Sequence, residues 1–103
     1  MPSINPYGIA AGRELDGLIH DYCFRADGEV LAYSTDEKAA EKVRSHVKSA
    51  FGYAVSTGET RLRGRRFFAR LESGPSTATE VLAETWPLAI CRLALVMNLR
   101  HPG

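Results

Sequence analysis

Five arginines fall within ten residues, at Arg61, Arg63, Arg65, Arg66 and Arg70, with Phe67 and Phe68 set among them. A guanidinium fork meets phosphate or carboxylate oxygens two at a time, so this cluster suits an anionic partner. On a strand, Arg66, Phe68 and Arg70 share one face, and Phe67, Ala69 and Leu71 share the other. The second set fits a core and leaves Phe68 partly exposed between arginines. The same pattern also describes a solvated edge strand whose charges discourage edge-to-edge association. Read as a binding site, the contact residues are Arg61, Arg63, Arg65, Arg66, Phe68 and Arg70. A protein partner is favoured over nucleic acid, because 13 Lys and Arg against 12 Asp and Glu leave a formal net charge of only +1.

Arg92 is the other charged residue of interest, alone on an otherwise apolar stretch before Arg100. If buried, it requires a partner, since an uncompensated buried charge is very costly. Glu14, Asp16, Asp36 or Glu84 are the expected carboxylates for a structural ion pair. The alternatives are a ligand-facing guanidinium that receives a phosphate or carboxylate, or simple surface exposure. No catalytic motif is present, and no catalytic residue is assigned: the chain has no G-x-S-x-G, H-E-x-x-H, P-loop or dinucleotide fingerprint. His20, His46 and His101 lack a second ligand at metal spacing, so neither metal nor cofactor is expected. Cys23 and Cys91 form no C-x-x-C pair and read as buried, reduced thiols.

The elements that would position these residues are read from periodicity and caps. The 103 residues, 45% hydrophobic and 24% charged, suit a single globular domain spanning 1–103. A first helix is expected from near Pro6, capped by Asn5, to about Cys23, with Ala11, Leu15, Leu18, Ile19 and Tyr22 as its buried stripe. A turn at Ala26, Asp27 and Gly28 leads to a short strand at 29–33. Ser34 and Glu37 read as a capping box for a second helix with Ala40, Val43, Val47 and Ala50 as its seam. Its charged face, including Arg44 and His46, reads as solvated. A hairpin pairs 52–57 with 65–72 across a projecting connection at 58–64. A loop at 73–77 precedes a last helix, with Thr85 or Trp86 as cap and Pro87 in the first turn. That helix is apolar nearly all round and must be covered on most sides. The fold class is therefore α+β, a small three-stranded sheet covered by helices in the order α-β-α-β-β-α. Neither a signal peptide nor a membrane span is expected, and the expected location is the cytoplasm.

Three ordered segments carry a family resemblance: Ala11-Gly12-Arg13-Glu14-Leu15-Asp16, then Tyr33-Ser34-Thr35-Asp36, then Ala83-Glu84-Thr85-Trp86-Pro87-Leu88-Ala89-Ile90-Cys91-Arg92. Together they resemble the phage ABA sandwich domain, a family of small bacteriophage and prophage proteins. Two departures keep bulk or charge type: Tyr22 and Phe24 stand where the family often has tryptophan, and Ala83-Glu84-Thr85-Trp86 replaces its usual Ala-Asp-Thr. The resemblance implies an origin and an architecture but no catalytic list. The expected function is a non-enzymatic phage accessory protein that binds a host protein, such as an inhibitor of a bacterial defence system of the anti-CRISPR kind. The alternatives are a sponge for a small anionic nucleotide signal, with Arg92 or the basic hairpin lining a pocket in a homo-oligomer, and an accessory nucleic-acid-binding protein.

Overall fold

The computed structural model describes residues 9–24, 29–52, 54–60, 66–71 and 80–100. Within them run α1 (Arg13–Ile19), α2 (Glu37–Phe51), β1 (Val55–Thr60), β2 (Arg66–Leu71), β3 (Glu80–Ala83) and α3 (Trp86–Arg100), with a π-helical turn at His20–Phe24 extending α1. The class is α+β, with three helices and a three-stranded antiparallel sheet in the order α-α-β-β-β-α.

α3 is the centre. Every residue from Leu88 to Met97 is buried, as a helix lacking a polar face requires. One side of it lies against the sheet and other sides meet α1 and α2. Its start follows from Thr85, whose Oγ1 accepts the Leu88 N–H at 3.4 Å, with Pro87 in the first turn as expected. Trp86 is half-buried against the core and donates from Nε1 to Glu37 Oε2 at 3.2 Å, joining the starts of α3 and α2. At the other end Asn98 Nδ2 donates to Ala94 O at 2.8 Å and approaches Cys23 Sγ at 3.4 Å, fastening α3 to the π turn.

The sheet order is β1-β2-β3, with Val55 opposite Leu71, Gly58 opposite Phe68, and Phe68 opposite Leu82. Val55, Ala69, Leu71, Val81 and Ala83 are buried, and the helices collect on their side. Both outer strands have a carbonyl taken by an arginine from a helix. Arg44 donates from Nε and Nη2 to Val55 O at 3.0 and 2.7 Å, and Arg92 donates from Nη1 to Leu82 O at 2.8 Å. An occupied edge carbonyl is one fewer template for a foreign strand.

Several expectations are corrected. Residues 29–33 form no strand: Tyr33 N–H bonds Leu31 O, and Thr35 and Asp36 both bond Ala32 O, so the backbone satisfies itself in tight turns. The third strand is instead 80–83, a four-residue element alternating exposed, buried, half-buried, buried. α1 starts only at Arg13, because Gly12 sits at φ 145°, a conformation that favours glycine and ends helical propagation backwards. Asp36, not Ser34, caps α2, accepting the Ala39 N–H at 3.2 Å. Ala50 is exposed while Ala39 is buried with Ala40, Val43 and Val47. Gly52 closes α2 at φ 82°, donating to Lys48 O, and opens no strand. β1 consequently runs through Gly58, Glu59 and Thr60, which the sequence assigns to the connection. The Asn5 cap, the 26–28 turn and the 73–77 loop lie outside the described residues.

His46 also differs from its solvated reading. Its ring is half-buried, 5.4 Å from that of Phe24, which stacks on Tyr33 at 5.2 Å. Burial lowers its pKa from the usual 6.5. The unfolded chain therefore binds more protons just below pH 6.5, so this contribution is full above 6.5 and lost as pH falls through the window beneath it. Urea unfolding of wild type and His46→Gln at about pH 5 and about pH 7.5 checks this. The wild type should lose more stability on acidification than the variant.

Candidate functional site

The sheet face opposite the helices bears the described part of the arginine cluster. Cross-strand rows place Ser56, Arg70 and Glu80 together, then Gly58, Phe68 and Leu82. None of these six belongs to the buried core. Phe68 is half-buried and Arg70 exposed, with the Arg70 guanidinium carbon 5.3 Å from the Phe68 ring centre. That is a cation–π arrangement on a solvent-facing surface. The alternation expected for β2 holds at four residues, with Ala69 and Leu71 facing the core and Phe68 and Arg70 not, whereas Phe67, expected with the core set, is only half-buried. Arg66 opens β2 opposite Thr60, its side chain outside the described residues, as are Arg61, Arg63 and Arg65.

Sequence reasoning missed why Phe68 lies as it does. A Cβ at Gly58 would stand 2.7 Å from both Cε2 and Cζ of the Phe68 ring. The ring thus covers bare backbone on the neighbouring strand, an aromatic laid over a strand glycine. The available signal was a lone glycine inside an alternating run, which marks close approach more often than a loop.

The segments that carry the family resemblance meet in space. Ser34 is fully buried and donates from both N–H and Oγ–H to Asp16 Oδ1, at 2.8 and 2.7 Å. Its Oγ also accepts the Gly12 N–H at 3.0 Å. Arg92, 7% exposed, donates from Nε to Ile9 O at 2.9 Å as well as to Leu82 O. Surface exposure is excluded for Arg92. Its fork is turned to main-chain oxygens at the entry to α1 and on β3. A charged donor to a backbone carbonyl is stronger than a neutral one, and it satisfies two oxygens at once.

The cysteines are free and buried. Burial pushes the Cys23 thiol up to about 11 against a lowering contribution from Asn98. The Cys91 thiol is raised further, by burial first and then by the negative charge of Asp16. Both stay protonated at neutral pH, which leaves little of the reactive thiolate. Among the described residues, no three His, Cys, Asp or Glu side chains gather to hold a metal. No described helix is long and apolar enough to cross a membrane.

The polar frame around Ser34 and the aromatic–arginine face of an α+β sheet describe a small scaffold with a presented surface. Comparison with known proteins adds no relative: no family model, curated protein or solved structure matches the chain.

Removing the Ser34 hydroxyl tests the polar frame. Ser34→Ala takes a buried donor from Asp16 and an acceptor from the half-buried Gly12 N–H. The expected loss is about 2–3 kcal/mol in urea unfolding, since a hydrogen bond to a charged group is worth about 1.5–3 kcal/mol. A change below about 0.5 kcal/mol, the usual range for an unimportant surface position, contradicts the assignment.

Proposed function

We propose that this chain is a binding protein without catalytic activity, and that its contact surface is the sheet face bearing Phe68 and Arg70, continued by Arg61, Arg63, Arg65 and Arg66. The observation that carries the reading is Phe68 lying over Gly58 with the Arg70 guanidinium above it. Aromatic and arginine side chains dominate the energetics of protein interfaces, because each offers a large, stiff area with directional polar contact. The Phe68 ring is already held between a flat strand and a guanidinium, so little side-chain freedom remains to be lost on binding.

The partner is a protein with an acidic surface. Net charge of +1 supplies no long-range attraction for nucleic acid, while five arginines on one hairpin suit a local carboxylate patch. The origin is a bacteriophage or prophage, on the strength of the three segments quoted above, and the partner is then a host protein. Within that setting the sharper role is inhibition of a bacterial defence system. This rests on analogy of origin and on the presented surface, since a fold alone does not specify a function.

The test is affinity purification of the tagged chain from host lysate beside Arg63→Glu/Arg65→Glu/Arg66→Glu and Phe68→Ala, with folding checked by circular dichroism. Native mass spectrometry of the eluates reads what is bound. A protein retained by wild type and lost from both folded variants is the expected result. Equal retention by all three removes the surface from the account, and an added mass of a few hundred daltons replaces the protein partner with a nucleotide.

A further inference from the structure

The two outer edges of the sheet are not closed alike. In an antiparallel ladder the N–H and C=O of one residue point to the same side, and successive residues point to opposite sides. Val55 O receives two donors of Arg44, which stands on α2, so Val55 turns its main chain to the outer edge of β1. The alternation then turns Ser56, Gly58 and Thr60 towards β2, and Thr57 and Glu59 outwards. Carried across the sheet by the row of Gly58, Phe68 and Leu82, the same alternation turns Leu82 outwards on β3, where Arg92 takes its carbonyl. Contacts at opposite edges thus fix one parity. On β1 the guarded carbonyl is at the first residue, and among the described residues no hydrogen bond reaches the outward main chain of Thr57 or Glu59. The usual guards of an edge are missing from this stretch. It has neither proline nor lysine, and its register with β2 runs unbroken from Val55 to Thr60. Its single charge, Glu59, is exposed and belongs to the opposite face from Arg70.

The side chains beside this edge select what can add to it. On the face away from the helices β1 contributes only Ser56, Gly58 and Thr60, so the larger side chains of β2 can reach across it. The Phe68 ring does so, lying over Gly58, and the Arg70 guanidinium stands by that ring. Arg66 belongs to the same face, in the row of Thr60. A strand added outside β1 lays every second side chain in the rows of Ser56, Gly58 and Thr60, alongside this ring and these cations. We infer, on the reading of this face as the contact surface, that the partner supplies an extended segment with carboxylates at alternate positions, which joins the sheet as a fourth strand at β1. Thr57 and Glu59 give it two main-chain donors and two acceptors. Main-chain pairing supplies affinity, and the arginines select an acidic segment.

The probe is a heptapeptide of alternating glutamate and valine with blocked ends, titrated into the ¹⁵N-labelled full chain. Its glutamates take the arginine face, and its valines stand opposite Thr57 and Glu59. Saturating shifts are expected along β1, with hydrogen exchange at the Thr57 and Glu59 amides slowed at least about fivefold near saturation. The same peptide built with N-methylvaline keeps every charge but loses the donors aimed at Thr57 and Glu59. It should bind at least about tenfold more weakly. Thr57→Pro removes an outward donor and no bond of the ladder with β2, so it should keep a folded spectrum and weaken the plain peptide as much. A lysine–valine peptide should not bind. The inference is overturned if the glutamate peptide causes no shifts, or if the N-methylated peptide or a folded Thr57→Pro binds as well as the original pair. Slow exchange at Thr57 and Glu59 in the protein alone, rising with its concentration, also overturns it by making a second copy the occupant. Shifts at Phe68 and Arg70 that survive N-methylation keep the face as the contact surface and overturn only the added strand. The face itself stands or falls on capture from lysate, so the two failures are separable.

Discussion

Everything in this fold is arranged around one helix that cannot face water. α3 has 15 residues, and from Leu88 to Met97 each is buried, including a charged one. A single sheet face covers only one side of such a helix, so α1 and α2 must close the others. Arg92 is the exception that the burial has to accommodate. A guanidinium in that setting is tolerated only if its donors are used, and Ile9 O and Leu82 O use two of them. The same contacts fix where the chain enters α1 and how β3 runs beside α3. The charge that looks least suited to the core thereby connects its two distant ends.

This arrangement explains why the family-like segments say little about function. Gly12, Asp16 and Ser34 form a hydrogen-bonded knot under α1, and Cys91 and Arg92 stand on the helix beside it. These residues are required by the frame. What the frame presents lies elsewhere: Phe68 and Arg70 on the free sheet face, and the outward main chain of β1 beside them. The two differ in chemistry. The first is flat, cationic and aromatic, suited to a macromolecule. The second offers main-chain donors and acceptors.

The strongest periodic signals were legible in the residues alone. α3 shows in its unbroken apolar run, α2 in Ala40, Val43 and Val47, and the β2 faces in the alternation from Arg66 to Leu71. The failures have local causes. Residues 29–33 have strand-like composition, but Ser34 is pulled to Asp16, and the turn this demands consumes the backbone donors of Tyr33, Thr35 and Asp36. No windowed pattern contains that contact, which joins positions 18 residues apart. β3 is only four residues long, too short for alternation to stand out. Ser34 and Asp36 both satisfy the rules for a helix cap, and only the competing claim on Ser34 decides between them. The pairing of Gly58 with Phe68 depends on register, which composition does not specify.

The central claim is that Arg92 holds the core through main-chain oxygens. Arg92→Met tests it most directly, because methionine keeps a long apolar stem and donates nothing. Replacing a buried charge by an apolar residue is often neutral or stabilising when the partners are also freed or removed. Here Ile9 O and Leu82 O, both on half-buried residues, would lose a charged donor, and a hydrogen bond to a charged group is worth about 1.5–3 kcal/mol. Urea unfolding should therefore show the variant less stable by about 2–4 kcal/mol with an unchanged m value. A variant as stable as wild type, or more so, would mean that the core does not depend on this arginine.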